Sequence, residues 1–193
     1  MTEDVGAKVL ENPPITLLAP NAALLDGYAD ALRRGWSPNT MQDVSADELE
    51  AVEADPEAFL RDLTNDEGTV RLADGSTMPR LPFRLFWIYD GDFCGAIGLR
   101  FRRGSETLPP HVPGHIGYSI VPWKQRRGYA TRALSLILPV ARVEGMARVL
   151  VTCDADNLAS KKVIEANGGR LFGVTPRDPE TGKPKLSYWI ETR

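Results

Sequence analysis

The pattern of apolar and polar residues predicts that the chain begins with one strand followed by a helix. Ile15 to Ala19 form a β-branched and aliphatic run, which is typical of a strand. Asn21 is a helix-capping residue, and the residues after it predict a helix to about Arg34, where Gly35 ends it.

A second helical segment is predicted from Ser45 to about Leu63, with Pro56 dividing it. Ser45, with Glu48 three residues later, has the pattern of a capping box, in which each side chain bonds a backbone N–H group at the helix start. The Gly- and Pro-rich stretch from Asp66 to Pro82 predicts a loop.

The middle of the chain predicts strands. Leu85 to Tyr89 is apolar and aromatic, Asp90-Gly91 is a hairpin signal, and Phe93 to Arg102 is the return strand. A Pro- and Gly-rich loop from Gly104 to Gly114 precedes another strand, His115 to Val121.

After this strand, the spacing of the apolar residues changes to that of a helix, which is predicted to end at Gly145. The apolar residues on its one face are Ala130, Ala133, Leu134, Ile137, Val140 and Ala141. A buried-type strand, a helix and two final strands follow. Their predicted bounds are Arg148 to Thr152, Asn157 to Asn167, Arg170 to Val174 and Lys185 to Ile190.

The predicted fold class is α+β. A strand, a long helix and another strand in succession imply a parallel β-α-β unit, whereas the hairpins imply antiparallel neighbours. We therefore expect a mixed, mostly antiparallel central sheet that contains one parallel β-α-β unit and is flanked by helices. Residues 1–14 are expected to be a loose lead-in, and residues 15–193 a single domain.

Composition and charge exclude several classes of protein. The 193 residues are 42% apolar and 25% charged, which is near the globular average. The net charge of -3 argues against a nucleic-acid binder, which would normally be basic. Membrane-spanning runs and a signal peptide are absent from the sequence pattern. Cys94 and Cys153 lie in apolar runs and are expected to be reduced, which predicts a cytoplasmic location. The net charge and the missing membrane-spanning run predict neither nucleic-acid nor membrane partners.

The densest chemical signal is the basic turn that follows the strand ending at Pro122. It reads Gln125-Arg126-Arg127-Gly128-Tyr129-Ala130 and opens directly onto a helix. N–H groups at a helix start lack intrahelical partners, and the helix dipole favours negative charge there, so the turn suits an anion such as pyrophosphate. A surface turn that is basic without binding anything is the alternative interpretation. The spacings of a Walker loop and of a dinucleotide-binding loop are both missing.

Two segments carry a resemblance to a known family. Gln125-x-x-Gly128-x-Ala130, after a strand that ends Ile120-Val121-Pro122, resembles the acetyl-CoA site of the GCN5-related N-acetyltransferases (GNAT). Asn157 to Gly168 resembles the Asn-x-x-Ala/Ser helix that runs beside the pantetheine arm in that family. The predicted element order is also similar to the GNAT fold from Ile15 to Ile190.

The resemblance implies an acetyl-CoA-dependent N-acetyltransferase that releases CoA. It implies direct transfer in a ternary complex to a primary amine, on a small molecule or a protein N-terminus. Main-chain groups near Ile120 and Val121 would pair with the pantetheine amides, Asn157 would contact the cofactor arm, and Ser160 would lie near its sulfur. The residues of the turn that would contact the cofactor are Gln125, Arg126, Arg127, Gly128, Tyr129, Ala130 and Thr131.

Ser160 is the candidate for assisting the CoA thiolate as it leaves. The family's usual proton donor is a Tyr seven residues after the Asn, and this chain has Ile164 there, which cannot donate a proton. A serine at position 160 resembles the branch that acetylates ribosomal-protein N-termini. The alternative is that Ser160 only packs or caps within its helix.

His115 is the candidate general base, because an imidazole with a pKa of about 6.5 can take a proton near neutral pH. The alternative is a histidine that hydrogen-bonds a loop, and Glu106 and His111 are further candidates. His111 and His115 are four residues apart, but Pro113 and Gly114 lie between them and exclude the helix that such a zinc pair needs, so no metal is predicted.

Two other functions remain open from the sequence. The missing tyrosine at Ile164 leaves a non-catalytic CoA or acyl-CoA sensor on the same fold, and a generic nucleotide binder is a third interpretation. The sequence does not identify the acceptor amine, and the resemblance allows a homodimer without requiring one. Seven acidic residues are expected to form either a solvated helix face or a surface that attracts a cationic amine. They are Asp43, Asp47, Glu48, Glu50, Glu53, Asp55 and Glu57.

Overall fold

The computed structural model describes residues 13–71, 75, 77–110, 112–178 and 182–192. The first half of the chain contains β1 (Thr16–Leu18), α1 (Leu25–Arg33), α2 (Ser45–Ala54), α3 (Pro56–Thr64), β2 (Thr69–Arg71), β3 (Thr77–Pro79), β4 (Phe83–Tyr89) and β5 (Phe93–Arg100). The second half contains β6 (Ile116–Ile120), α4 (Tyr129–Val143), β7 (Arg148–Asp154), α5 (Leu158–Ala166), β8 (Arg170–Thr175) and β9 (Lys185–Glu191).

The strands form two larger antiparallel sheets and one small hairpin. The first sheet has the order β1-β4-β5-β6, the second has the order β7-β9-β8, and β2 pairs with β3. Strands β6 and β7 are therefore edge strands of different sheets, and α4 connects them.

β6 and β7 lie side by side but are joined only at one end. The His115 N–H donates to the Leu150 carbonyl at 2.8 Å, and the Leu150 N–H donates to His115 Nδ1 at 2.8 Å. Farther along, Tyr118 of β6 lies near Cys153 of β7, so both strands run in the same direction. The predicted β-α-β unit is confirmed, and its two strands form no continuous ladder within the described residues.

Two clusters of buried side chains hold the sheets and helices together. The larger cluster joins both sheets to α4 and α5, with Ile97, Leu134 and Ile190 among its fully buried members. The smaller one joins β4 and β5 to the first helices, where the rings of Tyr28 and Trp87 stack with centroids 4.9 Å apart.

The start of α2 differs from the prediction. Val44 is the N-cap, and the Ser45 hydroxyl donates to the Asp43 carboxylate at 2.6 Å. The Glu48 carboxylate accepts a hydrogen bond from the Tyr28 hydroxyl of α1. The predicted capping box is wrong because the buried Tyr28 hydroxyl needs a partner in the core, and Glu48 supplies it.

The segment predicted as a loop from Asp66 to Pro82 contains the β2–β3 hairpin. Each of its strands has three residues, which is too short for an alternating pattern to be recognised. Most of the predicted lead-in, residues 1–12, and His111 lie outside the described residues.

Candidate active site

The candidate active site is the gap between the edge strands β6 and β7, beyond the point where His115 joins them. The Val121 N–H, just after β6, donates to the Cys94 carbonyl of β5 at 3.0 Å. Main-chain groups alternate in direction along a strand, so Ile120 and Tyr118 direct theirs to the open side of β6. The Gln125 side chain donates to the Ile120 carbonyl at 3.1 Å on that side.

This geometry favours Ile120 over Val121 for the predicted pairing with a pantetheine arm. The Val121 N–H is used by Cys94, and its carbonyl accepts the Lys124 N–H at 3.0 Å. The predicted contact of Gln125 with a cofactor has a structural counterpart, since its amide fastens the basic turn to β6.

The basic turn leads into the start of α4 through two residues with left-handed backbone conformation. Arg126 and Gly128 both have positive φ angles, +63° and +77°. The first helical bond runs from the Arg132 N–H to the Gly128 carbonyl at 3.0 Å. The N–H groups of residues 129–131 therefore precede the helical bonding pattern, as an anion site requires.

The backbone of Arg126 is strained, because residues other than glycine rarely adopt this left-handed conformation. Alternating helical and left-handed residues turn successive N–H groups to one side, which creates an anion-binding concavity. A Cβ placed on Gly128 would have no described heavy atom within 4 Å, so the approach to these N–H groups is open.

A buried ionic cluster fixes the turn from below. Asp90, in the β4–β5 turn, accepts hydrogen bonds from Lys124 Nζ and from the Tyr129 hydroxyl, both at 2.6 Å. Burial disfavours its charge, but these two hydrogen bonds and that of the Asp92 N–H dominate and lower the pKa of Asp90 to about 2. Lys124 and the Tyr129 side chain thus hold the turn, which leaves only the Tyr129 main chain for an anion.

Asn157 and Ser160 lie at the start of α5, across the gap from β6. The Asn157 carboxamide oxygen caps the helix by accepting the Ser160 N–H at 2.9 Å. The Ser160 hydroxyl is 2.9 Å from the Tyr118 hydroxyl, and it also lies beside the Cys153 thiol. Ile164, which stands where the family has its tyrosine, is fully buried in the core.

Tyr118 is a further candidate residue at the gap; from the sequence it is expected either to line the cofactor arm or to belong to the core, with no role in proton transfer. Burial, opposed by the hydrogen bond with Ser160, raises the pKa of Tyr118 to about 12. The hydroxyl therefore keeps its proton at neutral pH and can donate it or relay it through Ser160. Tyr118 brings a tyrosine hydroxyl to the gap from β6, although α5 has Ile164 where the family has its tyrosine.

His115 lies at the closed end of the gap and is fully buried. Burial lowers its pKa to about 4, so the ring is neutral near pH 7. Its Nδ1 accepts the Leu150 N–H, and Nε2 therefore carries the proton and lies near the backbone of Glu106 without a hydrogen bond of good geometry. No lone pair is left to accept a substrate proton, and this geometry favours a structural role over that of a general base.

The buried His115 predicts a pH-dependent loss of stability. The folded protein has a His115 pKa of about 4, below the ordinary value of 6.5, so the unfolded chain binds a proton that the folded chain does not. The neutral His115 ring therefore stabilises the fold fully when the pH is above the ordinary pKa of 6.5, and this stabilisation is lost as the pH falls towards 4.

We expect His115→Asn, whose carboxamide oxygen can accept the Leu150 N–H, to reduce this loss of stability at acidic pH. Urea midpoints measured between neutral and mildly acidic pH test this expectation. An equal acid-induced decrease in the wild type and the variant would contradict it.

Within the described residues, no group of three His, Cys, Asp or Glu side chains is placed to hold a metal ion. No helix in the same part of the chain has both the length and the apolarity needed to cross a membrane.

Comparisons with known proteins identify the family. The sequence model of the family described as "Acetyltransferase (GNAT) domain" matches residues 37–170. A comparison with curated protein sequences gives no significant match.

Solved structures with this fold include three acetyltransferases. The microcin C7 self-immunity acetyltransferase MccE, in complex with acetyl-CoA and AMP, is 17% identical with a TM-score of 0.60, and the match covers 92% of each chain. The ribosomal L7/L12 α-N-protein acetyltransferase RimL, in complex with CoA, is 16% identical with a TM-score of 0.58, covering 92% of this chain and 93% of that one. RimJ of Mycobacterium smegmatis, in complex with CoA-disulfide, is 17% identical with a TM-score of 0.61, covering 94% and 83%. At these identities the likeness establishes the fold.

Proposed function

Since the chain belongs to the GNAT acetyltransferase family, we propose that it transfers the acetyl group of acetyl-CoA to a primary amine. The acceptor is a small molecule or a protein N-terminus, and the transfer is direct, within a ternary complex. The observation that carries this proposal is the anion-binding start of α4 beside an open strand edge and the Tyr118–Ser160 hydroxyl pair. MccE and RimL, which share the fold, were solved with acetyl-CoA and CoA.

The residues around the gap fit the parts of this cofactor. The N–H groups of residues 126–131 and the charges of Arg126 and Arg127 suit the pyrophosphate. The main chain of Ile120 suits the pantetheine amides, as an added strand would pair with it. Asn157 and Ser160 lie at the start of α5, and the resemblance implies that they contact the cofactor arm and its sulfur.

Acetyl-CoA supplies an activated thioester when it is bound. The Tyr118 N–H on the open side of β6 is placed to stabilise negative charge on a carbonyl oxygen. The Ser160 hydroxyl holds a proton for a departing thiolate, and Tyr118 Oη can replace that proton. Because His115 is neutral and committed to Leu150, solvent rather than His115 takes the proton of the amine.

Ser160→Ala is expected to lower kcat about tenfold and to leave the KM for acetyl-CoA within about twofold. A thiol with an ordinary pKa of about 8.5 needs only modest help to leave, so the effect should fall below the 10²-fold typical of general acids. Steady-state release of free CoA thiol measures both constants. An unchanged kcat would remove Ser160 from the chemistry.

Tyr118→Phe is the matched control for this pair, because it removes one hydroxyl and keeps the buried ring. A proton relay predicts that Tyr118→Phe lowers kcat and that the double variant is no slower than the slower single variant. Independent, multiplying effects of the two substitutions would contradict a shared proton path.

The test of the proposed function is release of free CoA thiol from acetyl-CoA in the presence of a panel of amines. The panel contains short peptides with free N-termini, a lysine-containing peptide with a blocked N-terminus, spermidine and aminoglycosides. Thiol release that depends on an amine supports the proposal. Tight acetyl-CoA binding without amine-dependent release would instead support a CoA or acyl-CoA sensor, which the buried Ile164 keeps as the alternative.

A further inference from the structure

A cavity opens on the face of the first sheet that is turned away from α4. In the ladders, Phe83 lies opposite Arg100, Leu85 opposite Gly98, and Gly98 opposite Gly117. Directly paired residues of a sheet share one face, so these five residues form one surface that runs from β4 to β6.

The first helices cover only part of this face. Trp87 and Ala96, farther along the same strands, are buried against α1 and α2. Beyond them an open pocket of about 390 Å³ lies between the sheet and the β2–β3 hairpin, and we call it the hairpin pocket. Its apolar walls include Met78, Leu81, Phe83 and Leu85. The volume lies near the lower end of the range of about 300–1,000 Å³ that is usual for small-molecule sites.

Two arginines make the hairpin pocket positive. Arg80 lines it and is held in place by donating to the carbonyls of Asp62 and Asn65, at 3.3 and 2.8 Å. Arg100 lines it from β5, and its Nη2 atom lies 3.6 Å from the position that a Cβ would take on Gly117. The described lining contains no Asp or Glu. The described lining therefore combines an apolar wall with two cationic side chains, which can bind an anion.

The hairpin pocket and the Tyr118 hydroxyl lie on opposite faces of the first sheet, at neighbouring positions of β6. Gly117 is exposed and directly precedes Tyr118, whose hydroxyl contacts Ser160. Gly117 has no side chain to separate the hairpin pocket from the open side of β6, and Arg100 Nη2 is the described atom nearest to the place that a Cβ would take there. The cofactor is proposed to bind at the starts of α4 and α5, and the pocket lies on the opposite face of β6.

We propose that the hairpin pocket binds the acceptor and selects an amine with an apolar body and an anionic group, which Arg100 contacts. The inference rests on the proposed function, because it assigns the acceptor side of the same reaction. It differs from the expectation that an acidic surface attracts a cationic amine. Two members of that acidic run are already engaged, Glu48 by Tyr28 and Glu53 by Arg33.

The test compares two acceptors that differ in one charge. Alanylphenylalanine and its C-terminal amide have the same amine and the same apolar body, and only the first carries a carboxylate. We expect kcat/KM to be at least about tenfold higher for the free acid, the effect of one well-placed charged contact. Equal values for the two would overturn the proposal.

Substitutions then assign the preference to the pocket. Arg100→Gln is expected to reduce the acid-to-amide ratio to about 1, whereas Arg103→Gln, at an exposed cation outside the pocket, retains it. Gly98→Leu should raise KM for both acceptors. A Cβ on Gly98 meets its nearest atoms at 3.8 Å, so the added side chain fills the pocket without displacing the backbone. A ratio that survives Arg100→Gln would overturn the role of Arg100.

Binding separates this inference from the proposed function. Titration of the CoA-loaded protein with either dipeptide needs no turnover, and it should show the same preference and the same loss in Arg100→Gln. Binding preference without thiol release would contradict the proposed function and support the pocket. Thiol release from several amines without any preference for the acid would contradict the pocket alone. Melting temperatures and acetyl-CoA affinity of each variant show that it is folded.

Discussion

Gly128→Val is expected to weaken acetyl-CoA binding by about 10- to 100-fold while the protein remains folded. Gly128 has φ +77°, a conformation that costs a residue with a side chain about 1–2 kcal/mol and a β-branched residue more. Each 1.4 kcal/mol corresponds to about a tenfold change in affinity, so relaxation of the turn away from this φ gives a loss of that size. Isothermal titration with acetyl-CoA and with CoA measures it.

Gly145→Val is the matched control at the other end of α4. Gly145 has φ +87°, and, as at Gly128, a Cβ placed on it would have no described heavy atom within 4 Å. Both variants should show a similar decrease in melting temperature, because both force a residue with a side chain into the left-handed region. Only Gly128→Val should lose affinity for acetyl-CoA. Equal losses of affinity in the two variants would mean that strain in α4, and not the anion site, controls binding.

Asp90→Ala is expected to destabilise the fold by about 3–5 kcal/mol, because it leaves the ammonium of Lys124 buried with only the exposed Asp92 carboxylate, 3.8 Å away, as an ion-pair partner. The side chains of Lys124 and Asp90 are only 11% and 6% exposed, so solvent cannot replace the lost carboxylate. The turn above them should also loosen, which raises the KM for acetyl-CoA more than it changes kcat. Urea unfolding at neutral pH and steady-state kinetics give the two measurements.

The double variant Asp90→Ala/Lys124→Met distinguishes an unpaired charge from a simple loss of packing. Removing both charges should recover most of the stability that Asp90→Ala loses, since no buried charge remains unpaired. If the double variant is less stable than Asp90→Ala by the full cost of a second core substitution, the account of the ionic cluster is contradicted.

The sequence predicts the elements whose patterns are long enough to show a period. The apolar and aromatic run of β4, the return strand β5, the helical face of α4 and the glycine-ended helix α5 are all recovered in the fold. The β2–β3 hairpin has strands of three residues and so carries no period. The capping box fails because the Glu48 side chain bonds Tyr28 of another helix instead. The sequence around Glu48 contains no information about this distant partner.

The candidate site divides in the same way. The basic turn and the start of α5 are local motifs, so the strand–turn–helix pattern and the resemblance to the family locate them in the sequence. The contacts that hold and complete them are not local: Lys124 and Asp90 are 34 residues apart, and Tyr118 and Ser160 are 42 apart. His115 shows the reverse case, because a residue type suited to base catalysis is placed where burial and the Leu150 N–H use it structurally.

A crystal structure of the complex with acetyl-CoA is the most direct test of the central claim that the gap between β6 and β7 is the acetyl-CoA site. The account predicts pyrophosphate oxygens on the N–H groups of residues 126–131, a pantetheine amide paired with the main chain of Ile120, and the sulfur in contact with the Ser160 hydroxyl. A cofactor bound with its pyrophosphate away from the start of α4, or with its sulfur out of reach of Ser160 and Tyr118, would contradict it.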